Sequence, residues 1–95
     1  MTTSPPRSPV SQEVSAELRR VLERWRTMTP VQSEVGALPM RALVGDLARE
    51  SGAQVPVPDL GPHVLPDQLA VVVHDACAAA VAGIPERLTQ LRRAL

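Results

Sequence analysis

The chain has 95 residues, with ten basic side chains balanced by ten acidic ones. That length is one domain, and the balance removes the long-range field that would draw a chain to nucleic acid or anionic lipid. Hydrophobic residues make up an ordinary 44%, yet Trp25 is the sole aromatic, so the core must be built from Leu, Val and Ala, with small contacts.

A small core of small contacts favours borrowing stability from a second chain. Cys77 stands alone, which excludes an intrachain disulfide and a Cys-rich zinc site and fits a reducing interior. The apolar run Leu69 to Val73 is far short of a membrane span. Met1 to Arg7 carries no apolar segment of the kind a secretory signal needs. A soluble, cytoplasmic protein is the expectation. All ten basic residues are Arg, and Lys and Asn are missing. With the high Ala, Val and Pro content, this bias is associated with GC-rich bacterial genomes.

Residues 1–8 are mostly Ser, Thr and Pro, and they read as a disordered tail ahead of a single helical domain over 9–95. Ser8 and Pro9 suit the N-cap and first position of a helix, with Ser11 a competing cap one turn later. Val10, Val14, Leu18, Val21, Leu22, Trp25 and Met28 recur at spacings of three and four, which predicts a first helix to about Met28, docked on a core. Pro30 ends it by driving Thr29 out of the α region.

Thr29 and Gln32 have capping-box spacing and predict a short second segment. Gly36 and Pro39 argue that it is brief, so the next helix is expected to start at Pro39. Met40, Leu43, Val44, Leu47 and Ala48 form its apolar stripe, and Gly52 suits its end. Gly45 in mid-helix costs about 1 kcal/mol relative to Ala, which a close helix crossing would explain.

Ala53 to Leu65 is rich in proline and is read as a strap across the bundle, with Val55, Val57, Leu60 and Val64 packing down. The next stretch predicts a helix from Leu65 to Gly83. Between Leu69 and Ala82 only His74 and Asp75 are polar, and a helix apolar nearly all round is a buried one. Ile84-Pro85-Glu86 restarts a last helix whose stripe is Leu88, Leu91 and Leu95. The fold class is therefore all-α: a small antiparallel bundle of about four helices, with a Pro-rich strap before a central buried helix.

On a helical wheel the central helix has two apolar faces. Leu69, Val72, Val73, Ala76, Cys77 and Ala80 share one. Val71, His74, Asp75, Ala78, Val81 and Ala82 lie on the other, which a bundle this small has little left to cover. That second face is the expected interface, to a second copy of the chain or to a larger partner. His74 and Cys77, three apart, could share a metal only if a dimer supplied four ligands. The simpler role for His74 is structural, with Asp75 paired to an arginine such as Arg41 or Arg20. Adjacent His and Asp point about 100° apart on a helix and cannot form a catalytic relay. There is no nucleophile elbow or phosphate-binding glycine loop, so no catalytic residue, cofactor or small-molecule substrate is assigned and an enzyme is not expected.

Arg19, Arg20, Arg24 and Arg26 are the candidates for nucleic-acid contact, with Trp25 available for stacking. Glu17 and Glu23 interrupt that charge, and Trp25 falls on the apolar stripe. Finally, Pro58-Asp59-Leu60-Gly61-Pro62, followed by Asp67-Gln68-Leu69 and Asp75, resembles a pattern in short uncharacterised proteins of high-GC bacteria. The resemblance implies no activity, cofactor or binding residue. The reading that follows is a non-catalytic helical protein that works by protein contact through its central helix. The alternatives are a regulatory nucleic-acid module and a metal site at a dimer axis.

Overall fold

The computed structural model describes residues 8–95, so the expected tail lies outside it apart from Ser8, which is exposed. The described residues form four α-helices and no strand: α1 Gln12–Arg26, α2 Pro30–Glu50, α3 Leu65–Ala78 and α4 Ile84–Ala94. This is a small helical bundle. α2 packs chiefly on α3, and α1 chiefly on α4. One aliphatic core joins them, with Val21, Met40, Leu47, Leu65, Leu69, Val73 and Leu88 fully buried and Trp25 at its edge.

Ser11, not Ser8, caps α1: its hydroxyl accepts from the Val14 N–H at 3.2 Å. Ser8 instead accepts from the Val10 N–H, one turn too early to start the helix. α1 stops at Arg26, and Thr29, extended before Pro30, opens the next helix.

The largest departure from expectation is α2. The two segments expected on either side of Pro39 are one helix of 21 residues, with Pro39 inside it. The Thr29–Gln32 capping box is complete, with bonds of 3.2 and 2.9 Å. Gly36 and Ala37 before the proline, and Met40, Leu43, Val44, Leu47 and Ala48 after it, are buried along one face. Burial on both sides of the break carries the helix through a residue that costs about 3 kcal/mol in a helix interior. A Cβ on Gly36 would lie 2.7 Å from Met28 Cε and 2.9 Å from Leu95 Cδ2; here a bare backbone lets the neighbouring side chains close in. No such crossing accounts for Gly45, where the nearest atom to a Cβ would be Arg49 Nη1 at 3.6 Å.

α3 is shorter than the sequence suggests. It ends at Ala78, because Ala80 takes the left-handed conformation with φ 56°. Val81 N–H then donates to Ala76 O at 2.9 Å and Ala80 N–H to Cys77 O at 3.1 Å, the paired bonds of a Schellman stop. Gly83, expected to close this helix, caps α4 instead.

The strap lies along α2 and reaches α3 through a 3₁₀ turn, Pro62–Val64. Arg41 Nη2 meets Asp59 Oδ1 at 3.1 Å, Asp59 Oδ1 accepts from the Gly61 N–H at 3.1 Å, and Gln68 Nε2 donates to Pro58 O at 3.0 Å. Val57 packs on the core and Val64 is half-buried. Val55 and Leu60 were expected to pack down but are exposed, because the strap is fastened by polar bonds and prolines rather than by these side chains.

Candidate functional site

Among the described residues, two helices, α3 and α2, expose large apolar side chains, and the chemistry of each face differs. On α3, Leu65, Leu69, Val72, Val73 and Ala76 turn inward. The opposite side carries Val71, His74, Asp75 and Ala78, all exposed, with Val81 half-buried beyond the helix end. The central helix is thus buried along one face, not all round. Val71, 60% exposed, is the one large apolar side chain on the open side. His74 Nδ1 and Asp75 Oδ1 stand 3.7 Å apart in solvent, beyond hydrogen-bond length. The expected partners of Asp75 are engaged elsewhere: Arg41 with Asp59 and Arg20 with Glu17.

The second such face lies on α2, where the helix break expected at Pro39 conceals it in the sequence. Val31, Val35 and Leu38 are 71%, 67% and 69% exposed. At 100° per residue they fall opposite the buried stripe of Met40, Val44 and Leu47. Ala42, also exposed, and Gly45 continue the same line. The spacing from 31 through 35, 38, 42 and 45 alternates four and three, the repeat of a helix seam. The first half of α2 is therefore apolar on both sides. α2, with three exposed large apolar side chains against one on α3, carries more of the uncovered apolar surface. The signal was in the sequence, but it emerges only when Pro30 to Glu50 is read as one helix.

The arginines of α1 are divided between local contacts and solvent. Arg20 pairs with Glu17, and Arg24 Nη2 donates to Leu95 O at 2.7 Å. Arg19 and Arg26 are exposed, while Trp25 is buried and cannot stack on a base. Glu17 is the hub of a small network: Thr89 Oγ1 donates to it at 3.0 Å, and Arg92 Nε lies 3.5 Å away. The Thr89 hydroxyl, then the Arg20 and Arg92 guanidinium groups, hold its carboxyl below the usual range against partial burial. Glu50 is held down in the same way by Arg87, which grips both its oxygens.

His74 is in solvent and Cys77 is half-buried, one turn on. Burial pushes the Cys77 thiol above its ordinary value, which disfavours the thiolate a metal needs. Among the described residues, no three His, Cys, Asp or Glu side chains converge to hold an ion. A cleft of about 300 Å³ lies between the second half of α2 and the strap, lined among others by Arg41, Gly45, Arg49, Val55 and Pro56. No helix among the described residues is long and apolar enough to cross a membrane.

No family model, curated protein or solved structure matches the chain.

Proposed function

We propose that this chain is a non-catalytic helical protein that works by docking against another polypeptide, and that the docking surface is the outer face of α2. The observation that carries this reading is the line of Val31, Val35 and Leu38, each about two-thirds exposed on successive turns. A helix apolar on both sides needs cover on both sides. Each of these side chains would gain roughly 1–2 kcal/mol on burial.

The open side of α3, with Val71, His74, Asp75, Ala78 and Val81, is a second contact region in this reading. It is the weaker of the two, because a single valine there is flanked by an exposed His and an exposed Asp. The divided charge of Arg19, Arg20, Arg24 and Arg26 gives nucleic-acid binding less support than protein contact, since two of the four are already engaged. A metal shared by His74 and Cys77 would require two further ligands from another chain.

Photo-crosslinking in the native host tests the contact role. A benzophenone amino acid placed at position 38 should give a discrete polypeptide adduct, and the same probe at exposed Asp67 should not. Equal yields at the two positions, or none at 38, would remove the basis for this function.

A further inference from the structure

We propose that the occupant of the α2 face is a second copy of the chain, laid antiparallel so that the bulky half of one α2 rests on the small half of the other. The inference rests on the docking role proposed for this face and names the partner.

Three observations point to a second copy. The first is the gradient of size along the seam. Val31, Val35 and Leu38 occupy its first half, and Ala42 and Gly45 its second. A two-fold axis near residue 40 sets Leu38 of each copy over Ala42 of the other, and Val35 over Gly45. Large side chains then meet small ones at these two levels, which lets the helices approach to about 8–10 Å there, while Val31 lies level with the exposed Arg49 of the other copy, whose aliphatic stem can cover it. A parallel pair would set large on large and leave the small half unfilled.

The second observation is Gly45. Its place in mid-helix costs about 1 kcal/mol, and nothing within this chain comes close enough to require it, since an added Cβ would meet only Arg49 Nη1 at 3.6 Å. Gly36, on the buried side, is explained by Met28 and Leu95. The remaining glycine of α2 is accounted for if another helix passes over its open side.

The third is charge. Glu34 and Arg41 lie seven residues apart along one edge of the seam, two turns from each other. An antiparallel two-fold keeps each edge on its own side, so Glu34 of one copy and Arg41 of the other share an edge, twice, offset by about five residues or roughly 7 Å along the axis, a gap their long side chains can span. Glu34 has no ionic partner among the described residues, and Arg41 uses one guanidinium nitrogen on Asp59. The same geometry brings the first half of the second α2 beside the cleft bordered by Gly45, Arg49 and Val55. Val55, 77% exposed in the single chain, then gains cover. Because α2 is 21 residues and so about 30 Å long, the interface is at the small end for stable complexes, and a reversible micromolar dimer is the expected form.

Sedimentation of the purified full chain from low-micromolar to sub-millimolar concentration should show the mass rise from one chain to two. Leu38→Glu, at an exposed site where folding tolerates charge, should weaken this association by at least about tenfold, the loss expected for one buried anchor. Val71→Glu should leave it unchanged. In a Cys77→Ala background, oxidising an equal mixture of Leu38→Cys and Ala42→Cys chains should give the mixed disulfide well beyond the roughly twofold excess over either symmetric one that random pairing produces. A chain that stays single throughout the range overturns the second copy. A dimer that Val71→Glu dissociates and Leu38→Glu does not overturns it too, and a predominant 38-to-38 disulfide overturns the antiparallel order. A single chain whose position 38 still yields an adduct with a different polypeptide in the host would leave the docking role standing without the self-pairing.

Discussion

The hydroxyl of Thr89 reaches Glu17 across 72 positions of sequence, and that bond is the main reason the carboxyl is held down. A depressed folded pKa contributes stability that is complete above the ordinary unfolded value of about 4.3 and is lost as pH falls through the folded value. Thr89→Val should therefore raise the Glu17 pKa towards that ordinary value, read by carboxyl-carbon NMR titration. Its stability deficit against wild type should be present at neutral pH and close as the solution is acidified below the folded pKa. Glu50 has the same sign through Arg87. Ala80 is a second instructive residue. It is the one non-glycine with positive φ among the described residues, a conformation that costs an L-residue roughly 1 kcal/mol. Ala80→Gly should raise thermal stability by a few degrees in a melting experiment. The same alanine explains why the end of α3 was not legible: Gly83 is the residue that suits a helix stop, and nothing about a third consecutive alanine announces one.

At the scale of elements, legibility followed the strength of local signals. The stripe of α1, the Gly52 stop of α2, the proline-rich strap and the start of α4 were all readable from spacing and caps. α2 was not, because Pro39 is a local breaker and its accommodation depends on burial of Gly36, Ala37, Met40 and Leu43 against other helices. That single misreading hid the outer face, since Val31 and Leu38 share a line with Ala42 only in a continuous helix. The wheel places Val71, His74, Asp75 and Ala78 on the exposed side of α3, while Val81 is half-buried against the core and Ala80 is exposed past the helix end; this exposure does not single α3 out once α2 is one helix. Gly45→Ala separates the two accounts of that glycine. In the single chain the added methyl meets only the end of the Arg49 side chain, at ordinary contact distance, so denaturation of a dilute sample should show about 1 kcal/mol of added stability. A destabilised dilute chain would mean that Gly45 serves packing within its own subunit.

At the scale of the whole molecule, the described residues bury one aliphatic core and leave one long apolar line outside it. A chain with a single aromatic and many Leu, Val and Ala has few large side chains to spare, and three of them stand on the outer face of α2. The account's central claim is that this line is covered in the working protein while the rest of the surface remains wet. Carbene footprinting reads that cover directly, by comparing labelling of individual side chains in intact host cells with labelling of the dilute purified chain. Val31, Val35 and Leu38 should lose most of their labelling in cells, and Leu60 on the strap should keep its own. Labelling of the three α2 residues that is as strong in cells as in dilute solution would contradict the claim.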